Sequence, residues 1–479
     1  MLSNANNFLL PASVRWASSL ASHTSTSCSL LIIQQPCKKL NRITTVQECD
    51  ATEDDSSILA CYKKNNRRVN PNKLNWPFSI FILVMTTILF SCGNVSSKGK
   101  ENINNLSWQQ IEEKAKGASL TMMMFQGDRK VNKYMNEYVV PLMKERYNIS
   151  LQMVPGQGKE IVSNLMSEKE AGKRKSEIDL CWINGETFFQ LRQIDALFGP
   201  YTDKLPNSKY VDYDNPIIKY DFQQEVKGYE TPWGESFYYL IYDSSRISNP
   251  PVSMVDFEIW WKANPGKFTF SNDFSGMTLL KSWLVELAGG MNVLDGAFDE
   301  KKYNQYAPQL WDWINTHKKY FWKGGETFPS SITQVAQMYS NGELDFTMSF
   351  NDAEIDNKVG EGVFSKNSKA YILSAGSVHN THYVGISGNS ANKEAAMVVC
   401  NFLISPEAQI KKNDITLWGS RTVLAFDKLE KEWQDKFNAL PKRKYGLDAS
   451  LIKSKAIKEL APDYMLRVFD DFRKKVVEK

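Results

Sequence analysis

The sequence is poor in the residues that build covalent frameworks and metal centres. It has 7 Cys and 4 His in 479 residues, and only Cys181 and Cys400 lie beyond residue 92. Both sit in apolar runs, Ile178-Asp-Leu-Cys-Trp-Ile183 and Met397-Val-Val-Cys-Asn-Phe402, and read as small buried hydrophobes, with a pairing between them left open. His379 and His382 stand three apart. An extended segment sends such a pair to opposite faces, and no Asp, Glu or Cys nearby completes a ligand set, so neither a metal nor a cofactor is expected. An excess of one charge is missing as well. Residues 1–91 carry 9 Lys and Arg against 5 Asp and Glu, which leaves the following 388 residues with 49 of each. A neutral body has no electrostatic footprint for nucleic acid. The G-x-S-x-G, H-E-x-x-H and P-loop signatures are absent, and paired acids such as Asp470-Asp471 read as a solvated helical tail. There is no internal repeat and no low-complexity tract. What is present, 42% hydrophobic, 12% aromatic and 23% charged residues, belongs to a globular protein. It does not belong to a disordered, collagen-like or polytopic membrane chain.

One segment stands apart. No charge intervenes between Lys73 and Lys98, and Trp76 to Phe90 is a run of 15 mostly apolar residues. As a helix it would span about 22 Å, short of the roughly 30 Å hydrocarbon core. Lys63, Lys64, Arg67, Arg68 and Lys73 precede it, the order of a secretory signal. The run ends in Leu89-Phe-Ser-Cys92-Gly93, which resembles a bacterial lipobox with Cys92 as the lipidated residue. Residues 73–92 are therefore expected to be a lipoprotein signal segment and 93–116 a polar tether. Residues 1–72, rich in Ser, Thr and Asn, read as a disordered extension from a start placed too early.

Beyond the tether the pattern alternates. Ala118–Phe125, Ile149–Val154 and Glu177–Ile183 have strand length and are separated by runs of helical spacing, which predicts βαβ units around a parallel sheet. In such sheets ligands bind beyond the carboxyl ends of the strands. Tyr229–Glu235 reads as a turn-rich break before a strand at Phe237–Tyr242. Further strands are expected at Lys267–Phe270, Leu344–Phe350, Ala370–Leu373 and Thr381–Ile386. Helices are expected after Ser271–Gly276, from Asn392 to Leu403, from Ser405, and through much of 424–479.

Three motifs in order resemble the solute-binding proteins of ABC importers, extracellular family 1. They are Thr231-Pro-Trp-Gly-Glu-Ser-Phe-Tyr-Tyr-Leu-Ile-Tyr-Asp243, Met338-Tyr-Ser-Asn-Gly-Glu-Leu-Asp-Phe-Thr-Met-Ser-Phe350 and Asn389 to Gln409, the last ending in Ser-Pro-Glu-Ala-Gln. Cys181–Phe188, Gly376–His382 and Leu417–Ser420 are similar to segments of the YnjB-type branch. The resemblance spans about 115–479. It implies an α/β, two-lobed type II periplasmic-binding clamshell, two α/β sandwich lobes joined by hinge crossings. Lobe one is expected at 117–234 and 383–420, and lobe two at 235–382 and 421–479. It also implies a small-molecule ligand held between the lobes, a permease with a cytoplasmic ATPase as partner, a monomer, and a membrane-anchored lipoprotein in the periplasm or at the cell surface. The alternatives are a surface sensor or partner-binding lipoprotein on the same fold, or an enzyme.

Candidate ligand contacts are the strand tips that would face the other lobe: Gln126, Gly127, Trp182, Asn184, Gly185, Trp233, Asn272, Asp273, Ser349, Asn351, Asp352, Asn380 and Thr381. Each has a structural use as an alternative, core packing for the tryptophans and helix capping for Asn272 and Asp273. The family's ferric-ion-binding relatives place a tyrosine pair after the strand equivalent to Leu344–Phe350. Asn351-Asp352 stand there instead, which disfavours free ferric iron. Trp and Tyr with Asn, Asp and Glu suit a thiamine-like compound or a polyamine through stacking and cation–π contacts. The helix start at Ser271–Gly276 could instead hold a phosphate or sulfonate.

Overall fold

The computed structural model describes residues 102–479, which belong to a unit running from Ser96 to Lys479. The expectations for residues 1–92, including lipidation of Cys92, and for the start of the tether lie outside the described residues. Inside them the tether is shorter than expected, because Trp108–Ala115 is a helix. Ser107 and Gln110 form a reciprocal capping box there, and Ile111 and Ala115, one turn apart, are buried.

Along the chain the main strands are β1 (Ser119–Met124), β2 (Ser150–Pro155), β3 (Leu180–Ile183), β4 (Glu230–Phe237), β5 (Tyr239–Asp243), β6 (Phe346–Ser349), β7 (Ser368–Tyr371), β8 (Ser377–Ile386) and β9 (Ala456–Ile457). The larger sheet runs β9-β8-β3-β1-β2, with β4 on β8. Its β1–β2 and β1–β3 pairs are parallel, as the alternating pattern predicts, while β8 returns antiparallel to both β3 and β4. The smaller sheet, β6-β5-β7, is antiparallel. Each sheet has its own apolar core, the first around Met122, Leu180, Trp233 and the helix Lys393–Leu403, the second around Phe257, Trp261, Trp283 and Tyr464. Two cores and two sheets make two lobes.

The crossings are where β4 becomes β5 and where β7 gives way to β8. Tyr238 separates β4 from β5, and its N–H donates to the Val378 carbonyl at 3.0 Å, so the two crossings are pinned to each other. The sequence reading of Tyr229–Glu235 as a break is corrected here. The segment is most of a strand, and its Pro232 and Gly234 are absorbed by a register shift between His382 and Tyr383 of β8. A bulge tolerates the missing proline donor that a regular ladder would not. Lys267–Phe270 is not a strand. Phe268 and Phe270 are fully buried, and the backbone there meets Trp322 and Asp345 singly and not as a ladder. The C-terminal part also divides differently from expectation. Val423, Leu424 and Leu429 join the first core, whereas Leu460 to Val476 join the second, because the amphipathic helix Pro462–Phe472 lays its apolar face on the helices Phe274–Leu287 and Glu300–His317. Cys181 and Cys400 are free and buried in different clusters. Among the described residues no helix is long and apolar enough to cross a membrane.

Candidate functional site

A cleft of about 340 Å³ opens between the lobes. Its floor is the crossing strands, through Glu235, Ser236, Asn380, Thr381 and His382. One wall is the carboxyl end of β1 and β3, with Phe125, Gly127, Asp128, Trp182 and Asn184. The other is the second lobe, with Phe274, Ser275, Ile332, Thr333, Ser349, Phe350, Asn351, Glu354 and Phe364. The walls meet at the rim, where Thr333 Oγ1 donates to the Gly127 carbonyl at 3.2 Å. On the far side Asn357 Nδ2 donates to the Trp418 carbonyl at 2.8 Å, and Arg421 pairs with Asp352.

The aromatic lining is built in depth. Trp182 packs edge-on to Trp233 with ring centroids 5.0 Å apart and lies 5.0 Å from the His382 ring, with Trp418 5.2 Å from Trp233. Trp182 is half-buried and reaches the cleft, while Trp233 is fully buried behind it. Burial, with the Lys412 charge behind it, holds the His382 imidazole well below its ordinary range, so the ring is neutral. Lys412 is itself fully buried and held down by desolvation, its ammonium donating to the Arg421 carbonyl at 2.6 Å.

Carboxylates outnumber cations in the lining of the cleft: Asp128, Glu235, Asp273 and Glu354 against Lys358. Asp273 is occupied. Its Oδ1 accepts from the N–H groups of Ser275 and Gly276 at 3.0 and 3.4 Å, and its Oδ2 from Ile332 N–H at 2.8 Å, so one side chain caps one helix and anchors the start of another. Glu235 lies 3.3 Å from His379. Glu354 is pushed up to about 8 by burial first and by the Asp128 charge second.

Residues 137–439 match the family model described as "Bacterial extracellular solute-binding protein". The chain belongs to that family. This solute-binding protein is 32% identical to protein YnjB of Escherichia coli strain K12 over 326 residues, 67% of this chain and 84% of the relative. Among solved structures it is similar to a putative spermidine/putrescine ABC transporter from Listeria monocytogenes, with 14% identity, TM-score 0.53, and 74% and 98% of the two chains covered. It is also similar to the periplasmic binding protein AfuA of Actinobacillus pleuropneumoniae with fructose-6-phosphate bound, with 12% identity, TM-score 0.55, and 75% and 98% covered. The fold is that of the type II periplasmic binding proteins, the substrate-binding components of ABC transporters, and the family places the protein's work outside the cytoplasm.

Of the thirteen candidates in this solute-binding protein, Gly127, Trp182, Asn184, Asp273, Ser349, Asn351, Asn380 and Thr381 meet at the cleft. The other five do not. Gln126 turns its carbonyl to Asn132 Nδ2 at 2.9 Å. Gly185 is buried, and a Cβ there would lie 2.2 Å from the Phe222 ring, so it serves a close helix approach. Trp233 is core, Asn272 is exposed with its N–H on the Pro329 carbonyl, and Asp352 is held by Arg421. Tyr238 and Tyr239 are buried, their hydroxyls on Met348 Sδ and the Asn351 carbonyl. The sequence reading missed Phe125, Asp128, Phe274, Phe350, Glu354 and Trp418. Asp128 and Glu354 carried a usable signal, since each follows a strand tip by a few residues and sits at a helix start.

Proposed function

We propose that this protein is the lipid-anchored receptor of an ABC importer. It would capture a small organic solute between its lobes and deliver it to the permease, with thiamine-like or other cationic, aromatic compounds first among its ligands. The observation that carries this reading is the interlobe cleft itself, with aromatic rings on both walls and four carboxylates against one lysine. Aromatic faces and carboxylates together recognise a cation through cation–π and charge-assisted contacts. A ligand touching both walls has higher affinity for the closed form and shifts the population toward it. Anchoring through Cys92 is supported by the lipobox-like Leu89-Phe-Ser-Cys92 after the apolar run. The role is non-catalytic.

The test is a thermal-shift screen of the full chain, unfolded and refolded to remove carried-over ligand. The probes are thiamine and its phosphates, polyamines, amino acids, sugars, phosphate and sulfate. A true ligand at 100 times its dissociation constant adds about 2.7 kcal/mol, a rise of roughly 2–4 °C at this size. A saturable shift from one chemical class is the expected result. Turnover of any probe would refute the non-catalytic role.

A further inference from the structure

Two cleft carboxylates form no ion pair among the described residues, and they line the cleft from opposite lobes, near enough for the charge of Asp128 to act on Glu354. Asp128 follows β1; its Oδ1 accepts from the N–H groups of Lys130 and Val131 at 2.6 and 3.2 Å, which leaves Oδ2 to the cleft. Glu354 follows β6 and opens the helix Glu354–Gly360, and no hydrogen-bond donor meets its carboxylate among the described residues. Lys358 stands one turn along the same helix, 3.7 Å from Glu361. The same cleft has polar atoms without protein partners: Thr381 Oγ1 and His382 Nδ1, on residues only 2% and 9% exposed, and Asn351 Nδ2. Buried polar atoms are almost always paired, so these three, enclosed behind the cleft surface, gain partners only when a ligand or a side-chain rotation reaches them.

We propose that Asp128 and Glu354 clamp the ammonium or other cationic group of the ligand between the lobes, with Asn351, Thr381 and His382 taking its polar substituents. The proposal rests on the receptor reading and names the cargo as a small organic cation. With no cation present, two like charges in a poorly solvated cleft resist closure. Burial and Asp128 raise Glu354, Lys358 opposes them and Glu361 adds to them, while the neutral Tyr239 hydroxyl lies close by from β5. The empty closed cleft therefore keeps a proton on Glu354 at neutral pH. A cation that enters takes that proton's place, and the proton passes to the buffer, so binding releases about one proton per cation at pH 7. A neutral or anionic ligand releases none.

Two measurements on the full chain in detergent test this. The first is titration calorimetry at pH 7 in two buffers of different ionisation enthalpy, with spermidine, thiamine, glucose and fructose 6-phosphate as probes. The expected result is saturable binding of a cationic probe with proton release. Glu354→Gln should weaken it at least about tenfold and abolish the release. Asp128→Asn, which keeps the helix cap, should weaken it as well. A cationic probe that binds without proton release and equally well to both variants overturns the clamp. So does saturable binding of glucose or fructose 6-phosphate alone, which leaves the receptor reading intact. The second measurement needs no ligand. Wild type should lose melting temperature relative to Glu354→Gln as pH rises from 5 to about 8, because the folded state binds a proton that the unfolded state has released. Parallel curves overturn the clamp even if no probe binds, and binding by none of the probes counts against the receptor reading alone.

Discussion

Trp182 and Trp233 touch each other and do different work. Trp233 is fully buried and forms one edge of a ring cluster with Tyr134, Trp182, His382 and Trp418. Replacing it by alanine removes core volume that its neighbours cannot refill, at about 3–5 kcal/mol. Trp182 shows one face to the cleft. Trp182→Ala should cost less stability but weaken a stacked cationic ligand by about 0.5–2 kcal/mol, roughly 2- to 30-fold. Urea midpoints and ligand titration of the two variants separate the effects; equal losses of stability with unchanged affinity would remove Trp182 from the site. The sequence placed both tryptophans at strand tips or crossings but could not rank them. Burial is a property of what packs behind a residue, and for Trp233 that is the helices Lys393–Leu403 and Pro406–Asn413, about 160 residues away in the chain.

At the scale of elements, the second lobe's wall depends on helix starts. Asp273 ties Phe274–Leu287 to Ile332–Ser340 through a single carboxylate, and the first residues of both helices, Phe274, Ser275, Ile332 and Thr333, line the cleft. Asp273→Ala should therefore cost about 1–2 kcal/mol through the lost cap and lower ligand affinity without touching the ligand. Asp273→Asn, which still offers one acceptor, should recover part of both. Equilibrium unfolding and titration of the pair check this, and an alanine variant as stable as wild type would contradict it. The cap itself was legible, since Ser271-Asn-Asp-Phe-Ser-Gly276 before an apolar helical run is a start signal. Its second bond, to Ile332 59 residues on, was not. Strand errors had a similar cause. Lys267–Phe270 has the apolar content of a strand, yet no partner strand comes alongside. Tyr229–Glu235 has the residues of a turn, yet β8 brings a bulge that accommodates them.

On the scale of the whole molecule, the lobes also meet through buried charge outside the cleft. Glu186 of the first lobe faces Lys281 and Glu459 of the second, with Asp221 of the hairpin Tyr220–Glu225 between them and Glu230 beside Asp221. Lys281 pairs with Glu459 and lies 4.5 Å over the Phe222 ring. Burial raises Glu186 to about 7, and raises Asp221 and Glu230 well above the usual carboxylate range. A raised carboxyl holds in the folded state a proton that the unfolded chain has already lost. Its stabilising contribution is complete below the ordinary glutamate value and is lost as pH rises toward the folded one. Stability should fall between about pH 4.5 and 7 by roughly 3 kcal/mol from Glu186 alone, and Glu186→Gln should flatten that part of the melting-temperature profile; an unchanged slope would place the dependence elsewhere. By itself the sequence determined the alternation of strand and helix, the two-lobed fold through its ordered motifs, and the strand tips as the place to look for a ligand. The alternation and the tips depend on local periodicity and on residues near in the chain, and the two-lobed fold on the resemblance of those motifs to a known family. Only the tertiary structure decided which tips face the cleft, that Asp128 and Glu354 oppose each other across it, and that acidic groups lie buried between the lobes. Those are relations between segments distant in the chain, 226 residues for Asp128 and Glu354 and 95 for Glu186 and Lys281, set by how two separate cores dock, and electrostatics at such a junction depends on distance and solvent exclusion that no local pattern encodes.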